Sequence, residues 1–180
     1  ILLLDGSGKE YDAIINKVTK GEMLCTVVSE RVSDKECKTK IRLLVGALKG
    51  DKTELVVQKA TELGVAEIAV FSSRFCSAYM NENKTERLRK VARLKYLLVK
   101  AETAAKQCLR ATVPTVEYFE KFEDALDSCS GFDNKLFACE FAQTSDRNLH
   151  ELRGSCALVV GSEGGFSQEE FDLGKQKGFA

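Results

Sequence analysis

The sequence is poor in residue types that often mark catalytic or metal sites. It contains no tryptophan, one proline and one histidine, His150. With a single histidine, the sequence indicates no Ser-His-Asp or Cys-His catalytic set. A zinc site built from histidine and cysteine is not expected either. The composition therefore predicts a protein without a metal site.

Long apolar runs and a leader pattern are also lacking. No stretch reaches the roughly 18 apolar residues of a membrane span, and Ile1–Gly6 lacks the basic flank of a signal peptide. The cysteines are odd in number, scattered and without a CxxC spacing, which is typical of small apolar residues in a reducing compartment. These features predict a cytoplasmic protein with no metal and no membrane contact. The seven cysteines are Cys25, Cys37, Cys76, Cys108, Cys129, Cys139 and Cys156.

The net charge is zero, with 27 basic and 27 acidic residues, so the overall charge indicates no partner. The local distribution is uneven, because residues 84–110 carry nine basic side chains against Glu86 and Glu102. Such a stretch can guide a polyanion to one face of a protein. It is equally compatible with a solvated helix face, and the sequence leaves both interpretations open.

The chain divides into two parts by its hydrophobic pattern. Residues 1–38 read as short strands separated by turn residues, and three strands alone would be marginally stable. A polar segment at 33–40 is the natural linker. Residues 39–180 alternate strands with helices, which predicts an α/β domain with a mostly parallel sheet and helices on both faces. The expected strands are 41–48, 65–71, 135–140 and 156–161, and the expected helices are 51–63, 85–109, 122–129 and 167–177.

The sharpest local feature is the segment that follows the last predicted strand. Gly161–Ser167 contains three glycines and enters a helix through a Ser-x-x-Glu capping box at Ser167. Glycines at the carboxyl end of a parallel strand permit a positive φ and the close approach of a ligand. The spacing is neither GxGxxG nor a P-loop, so a dinucleotide or triphosphate site is not indicated. The alternative is a tight connection that binds nothing.

At this point the sequence resembles a known family. Gly161–Ser167 is similar to the G-P-E-G-G-F-S element of the RsmE family, the 16S rRNA uridine-N3 methyltransferases of the SPOUT superfamily. Two further blocks resemble its K-x-D-[KR]-x-E…QKATELGV and A-x-Q-x-x-R-x-x-[VI]-P signatures. Ser162 departs from the family, which usually has proline there. The segments that match these two signatures are Lys49–Glu54, Gln58–Val65 and Ala105–Pro114, and shorter matches occur at Ser73-Arg74 and Asp5–Tyr11.

The resemblance implies a fold and an activity. The fold is a trefoil-knotted SPOUT domain at 39–180, preceded by the remnant of a PUA-like β-barrel that holds RNA at 1–38. The family would continue beyond Ala180 with a strand and a segment that completes the knot, and its barrel would start before Ile1. The implied cofactor is S-adenosylmethionine, the implied partner is ribosomal RNA or the small ribosomal subunit, and the implied assembly is a homodimer.

Candidate site residues follow from the motifs and the predicted strand ends, and each has a plainer alternative. Phe137 is also a candidate for the core, Arg74 for an exposed loop and Arg110 for a cation at a helix end. Glu163 could equally complement the next helix N-terminus, and lysines are commonly solvated. The candidates for cofactor binding are Leu136, Phe137, Glu140, Gly161, Ser162, Glu163, Gly164 and Gly165. Those for substrate binding are Lys49, Lys52, Arg74, Gln107 and Arg110, and those for catalysis are Arg110 and Glu163.

The predicted function is methylation at N3 of a uridine in 16S rRNA with S-adenosylmethionine as the methyl donor. One alternative is a non-catalytic RNA-binding module that keeps the glycine segment for structure. Another is a SPOUT methyltransferase that acts on a different RNA, such as tRNA.

Overall fold

A computed structural model of the chain describes residues 1–76, 84–141 and 152–180, without the side chains of 84–92. The first part is a three-stranded antiparallel sheet of β1 (Leu2–Leu4), β2 (Lys9–Val18) and β3 (Met23–Val32). These strands confirm the predicted β-rich start, although β3 runs four residues beyond the predicted end at Val28. Many apolar side chains of the β2–β3 ribbon are exposed. They are Ile14, Ile15, Val18, Met23, Leu24, Val27, Val28 and Val32.

The second part is built on a five-stranded parallel sheet with the order β6-β5-β4-β8-β7. The predicted mostly parallel α/β sheet is therefore confirmed. One strand, β6, was not predicted, although it follows Pro114 directly. The strands are β4 (Ile41–Gly46), β5 (Glu67–Phe71), β6 (Thr115–Phe119), β7 (Asn134–Ala138) and β8 (Cys156–Val160).

Helices cover both faces of this sheet, as predicted. On one face, α1 (Lys52–Glu62) and α2 (Lys84–Cys108) pack on the central strands through an aliphatic cluster. On the other face, α3 (Phe122–Asp127) and α4 (Gln168–Gln176) enclose a cluster rich in phenylalanine. The aromatic members of the second cluster are Phe71, Phe122, Phe137, Phe166, Phe171 and Phe179.

The ends of the helices follow local sequence signals, but the buried face of α1 differs from the prediction. Gly64 has φ +90° and ends α1 as expected. The helical spacing of Val56, Ala60 and Leu63 predicts an apolar stripe, but Leu63 is 79% exposed, whereas Val57 is fully buried. Leu63 is the C-cap residue of α1, one position beyond the last helical residue. Within the described ranges, no helix is long and apolar enough to cross a membrane.

The backbone after α4 lies along the free edge of β7. The Ala180 amide donates to the Lys135 carbonyl at 3.1 Å, and the Ala180 carbonyl accepts from the Phe137 amide at 3.0 Å. This pair of bonds has the pattern of a parallel ladder. Strand β7 is thus paired on its outer side at Leu136 as well as with β8.

Candidate functional site

The carboxyl ends of four parallel strands bring the candidate loops to one edge of the sheet. The segments after β4, β5, β7 and β8 begin at residues 47, 72, 139 and 161 respectively. Open α/β sheets bind their ligands at this edge. Most of the residues that the sequence nominated lie here, and we call the segment Gly161–Ser167 the glycine loop.

The glycine loop makes a tight turn and then starts α4. The Gly165 amide donates to the Ser162 carbonyl at 3.0 Å, and Gly165 has φ +67°. The Ser167 hydroxyl accepts from the Glu170 amide while the Glu170 carboxylate accepts from the Ser167 amide, so the predicted capping box is confirmed. Of the three loop glycines, only Gly165 uses the positive φ that glycine permits.

The loop lies against the end of β4 with almost no space between them. A Cβ placed on Gly46 would lie 2.5 Å from the Ser162 amide nitrogen. Backbone atoms cannot give way as a flexible side chain can, so this position requires glycine. Gly46 is not among the predicted site residues, although a glycine inside a predicted buried strand is a signal of close backbone approach.

The space beside two loop glycines is occupied by protein atoms. A Cβ on Gly164 would lie 2.7 Å from the Phe75 Cβ, and one on Gly161 would lie 3.0 Å from the Phe166 ring. We expected these glycines to make room for a ligand. The structure corrects that reason, because Gly161 and Gly164 make room for aromatic residues. Loss of ligand binding on substitution of Gly164 would therefore not by itself reveal a ligand contact.

Glu140 reaches the glycine loop from the end of β7. A Cβ on Gly165 would lie 2.5 Å from the Glu140 Oε1, so this carboxylate sits directly over the turn. Glu140 is exposed, as a group that meets a ligand should be. Its position agrees with the predicted convergence of the β7 and β8 ends.

Glu163 links the glycine loop to the start of α1. Its Oε1 accepts from the Lys49 amide at 3.3 Å and from the Lys52 ammonium at 3.1 Å. Its own backbone amide and the Lys52 ammonium hold the pKa of Glu163 below the ordinary value of 4.5. The side chain is therefore ionised at neutral pH, which suits a group that orients other groups better than one that accepts a proton.

The Lys52 contact predicts a measurable titration change. Replacing Lys52 by methionine should raise the pKa of Glu163, because the cation that favours the charged carboxylate is lost. Since the folded pKa lies below 4.5, this pair stabilises the protein above about pH 4.5 and ceases to do so as the pH falls through the folded value. Carboxyl-carbon NMR titration of the intact protein measures the pKa of Glu163 in the wild type and in the variant.

Lys59→Met is the matched control, because Lys59 contacts Glu62 on the same helix and lowers the pKa of that residue. This variant should raise the pKa of Glu62 and leave Glu163 unchanged. An unchanged Glu163 midpoint in Lys52→Met would mean that the ion pair does not form in solution.

An apolar groove of about 380 Å³ lies beside the glycine loop on the α1 face of the sheet. Its floor comes from β4 and β8, and Lys52 and Glu163 stand at its rim. Leu136 is half-buried and in register with Leu158 on the same face of the sheet. The groove is lined by Leu43, Val45, Leu48, Lys52, Val56, Val160, Gly161, Ser162 and Glu163.

Phe137 does not line the site. Its ring is 5% exposed and lies 4.6 Å from the Phe166 ring and 5.8 Å from the Phe171 ring, between centroids. Alternate residues of a strand point to opposite faces, so Leu136 and Phe137 cannot both face the groove. The structure favours the core alternative for Phe137 over cofactor binding.

Arg74 lies at the rim, as predicted from its place after β5. Its guanidinium is exposed and donates to the Glu169 carboxylate at 3.0 Å, and its amide donates to Glu170 at 2.8 Å. The β5 loop thus contacts the first turn of α4. Sequence reasoning missed the neighbours Phe75, which packs on Gly164, and Cys76, whose thiol donates to the Ala47 carbonyl at 2.7 Å. No motif marks either residue.

Arg110 lies at the opposite, amino-terminal edge of the sheet. Its side chain is 7% exposed, and its donors contact the Glu36 carboxylate at 2.8 Å and two backbone carbonyls, those of Thr61 and Val65. A contact to Thr112 completes the set. This placement argues against the catalytic role predicted for Arg110, because the guanidinium is enclosed and distant in the fold from the glycine loop.

Other candidates on α2 lie away from the site or outside the described part. Gln107 is exposed on the last turn of α2, at the same edge as Arg110. The basic side chains Arg87 and Lys90 belong to the predicted polyanion-binding stretch and lie outside the described residues. Arg93 donates to the Gly50 carbonyl at 3.1 Å, which brings this helix to the loop after β4. In the described residues, no group of three or more His, Cys, Asp or Glu could hold a metal ion.

Comparison with known proteins identifies the family. The sequence matches the RNA methyltransferase domain family over residues 35–180. The chain belongs to this family. The predicted resemblance to RsmE is also confirmed, since the curated proteins it matches include several named ribosomal RNA small subunit methyltransferase E.

The similarity to individual relatives is distant but covers most of the chain. The methyltransferase E of Mesomycoplasma hyopneumoniae is 26% identical over 153 residues, and that of Bacillus subtilis is 27% identical over 180 residues. They cover 85% and 96% of this chain, which in turn spans 64% and 68% of their lengths. A methyltransferase E from Neisseria gonorrhoeae, solved bound to S-adenosyl methionine, is 27% identical with a TM-score of 0.84. It covers 99% of this chain, and the chain covers 71% of it.

Proposed function

We propose that this chain is part of an enzyme that transfers a methyl group from S-adenosylmethionine to N3 of a uridine in 16S rRNA. The observation that carries the proposal is the glycine loop at the carboxyl edge of a parallel sheet, within a chain of the RNA methyltransferase domain family. The solved relative from Neisseria gonorrhoeae is described as bound to S-adenosyl methionine, and it shares this fold over nearly the whole chain.

The residues at this edge fit such a cofactor. The groove beside the glycine loop has an apolar floor suited to a nucleoside, and the loop residues Gly161, Ser162 and Glu163 line it. Our candidates for holding the cofactor remain Leu136, Glu140, Gly161, Ser162, Glu163, Gly164 and Gly165. Phe137 supports them from the core without a contact of its own.

The chemistry needs positioning more than reactive side chains. The sulfonium of S-adenosylmethionine supplies the methyl group; an N–CH₃ bond forms at uracil N3, the S–CH₃ bond breaks, and the N3 proton leaves to a base or water. In-line placement of the two reactants accounts for much of such a rate. Glu163 is ionised and fixed by Lys52, so we assign it an orienting role. The exposed cations Lys49, Lys52 and Arg74 stand where RNA phosphates would approach the edge.

The wider assembly belongs to the same proposal. We propose that residues 1–38 are part of a PUA-like barrel that helps to hold RNA, that the α/β domain carries a trefoil knot, and that two copies form a homodimer. The exposed apolar side chains of the β2–β3 ribbon support a larger β structure, since so much apolar surface is rarely left in water. A ribosomal RNA substrate implies action in the cytoplasm.

A methyl-transfer assay with the intact protein tests this function. Labelled S-adenosylmethionine and small-subunit particles that lack methylation at N3 uridines should yield labelled 16S rRNA, without added metal, with the label at one uridine N3. Transfer should weaken as salt rises, because bound cations release counterions from the phosphates. tRNA and fully methylated particles are the controls.

The outcomes separate the alternatives. Labelled tRNA with unlabelled 16S rRNA would assign another RNA target. If the protein binds RNA but not S-adenosylmethionine, the proposal is contradicted and the alternative of a non-catalytic RNA-binding module remains.

A further inference from the structure

Two loops of the carboxyl-edge site are joined by one carboxylate. The segment Ser73–Cys76 after β5 is closed into a turn by a 3.0 Å bond from the Cys76 amide to the Ser73 carbonyl. It lies against the glycine loop, which follows β8 on the far side of β4. Since β5 and β8 do not pair directly, the contacts between their loops cross the end of β4.

Glu170, on the first turn of α4, makes charged hydrogen bonds on both sides of this gap. Its Oε1 accepts from the Arg74 amide at 2.8 Å, and its Oε2 accepts from the Ser167 amide at 2.9 Å. The first oxygen therefore binds the β5 loop and the second binds the end of the glycine loop. Hydrogen bonds to an ionised acceptor are shorter and stronger than those between neutral groups.

The remaining contacts across the gap are weaker or lie further along the turn. The Ser162 hydroxyl donates to the Phe75 carbonyl at a long 3.4 Å, and Phe75 packs on Gly164. The neighbouring Glu169 contacts the guanidinium of Arg74 at 3.0 Å, and the two side chains are 74% and 62% exposed. An exposed pair of this kind contributes little.

Resting on the proposed function, we propose that Glu170 is a positioning residue for cofactor binding. It does not contact the ligand but holds the β5 loop and the glycine loop at the separation that the ligand requires. The role requires that both carboxylate oxygens of Glu170 reach their amides, one in each loop. A shorter carboxylate or a neutral amide cannot supply it, because glutamine presents a donor where the second amide needs an acceptor.

The test compares three variants of the intact protein by calorimetric titration with S-adenosylmethionine at a temperature where all remain folded. Glu170→Gln removes one acceptor, and Glu170→Asp keeps the charge while shortening the reach. Both should weaken binding about tenfold, the scale of one lost charge-assisted bond. Glu169→Gln removes a charge from the same helical turn and should change binding by less than about twofold.

A second measurement separates positioning from a general loss of stability. Hydrogen exchange at the Arg74 amide should speed up in both Glu170 variants and stay as in the wild type in Glu169→Gln. If Glu170→Gln lowers the melting temperature while affinity and Arg74 exchange stay unchanged, Glu170 only caps α4 and the inference is overturned. If Glu169→Gln weakens S-adenosylmethionine binding as much as the Glu170 variants do, the effect comes from lost negative charge, and the positioning role of Glu170 is also overturned. Failure of the wild type to bind S-adenosylmethionine would instead overturn the proposed function, and this role with it.

Discussion

Arg110→Ala should lower the stability of the protein more than any change at the exposed rim. The substitution leaves the Glu36 carboxylate and the carbonyls of Thr61 and Val65 without the donors that they contact now. Breaking a buried ion pair by removing one partner costs about 3 kcal/mol. For a chain of this size the melting temperature should fall by about 10 °C. Thermal melts followed by circular dichroism measure the change.

The Arg110 contacts also explain why lysine should not restore the wild-type stability. The guanidinium bonds Glu36 through two nitrogens and two carbonyls through a third, and one ammonium cannot reproduce that fork. Lys106→Ala is the control, since Lys106 is an exposed cation one turn earlier on α2. It should melt within about 1 °C of the wild type, as surface substitutions usually do.

Methyl transfer by Arg110→Ala, measured well below its melting temperature, separates structure from catalysis. We expect turnover per folded molecule to stay near that of the wild type. A wild-type melting temperature together with lost turnover would contradict the structural account and restore the catalytic role predicted from the sequence.

Gly46→Ala should have the largest effect on the site itself. The added methyl group would lie 2.5 Å from the Ser162 amide nitrogen and 3.0 Å from the Gly161 carbonyl carbon, so β8 and its loop must shift. Overpacking of this kind typically costs about 1–3 kcal/mol. The shift moves the glycine loop directly. Since a misplacement of about 1 Å can cost about 100-fold, affinity for S-adenosylmethionine should fall by more than about tenfold.

Gly131→Ala is the matched control, because nothing lies within 4 Å of its added methyl group and its φ is not in the left-handed region. It should bind the cofactor and melt like the wild type. Calorimetry at low temperature, with near-ultraviolet circular dichroism as the test of folding, keeps the two effects of Gly46→Ala apart. Wild-type affinity in a folded Gly46→Ala protein would mean that the loop position does not control binding.

The sequence predicted those parts of the fold that depend on local patterns. Strand β8 and the capping box at Ser167 follow from an apolar run and a four-residue signal, and both are confirmed. The end of α1 at Gly64 follows from the need for a left-handed residue. Strand β6 was missed because it lies at the edge of the sheet, and its exposed residues Thr115 and Glu117 interrupt the apolar run that marked the other strands.

The site was predicted less well, because its contacts join distant parts of the chain. Arg110 is 74 positions from Glu36, and nothing in the helical pattern around it indicates that partner. Phe137 was assigned to the cofactor since a strand end lies near the site, but the side of the sheet that it faces depends on register. The sequence around Gly164 does not indicate its contact with Phe75 either, since only the fold brings that residue beside it.

A titration of the intact protein with S-adenosylmethionine, followed at individual backbone amides by NMR, tests whether the cofactor binds at the carboxyl edge of the parallel sheet. Without added metal, the amides of Gly161–Gly165 and Glu140 should shift on saturation, whereas those of Arg110 and Thr112 at the opposite edge should not. Saturable shifts confined to the amino-terminal edge, or no saturable shift at all, would contradict the account.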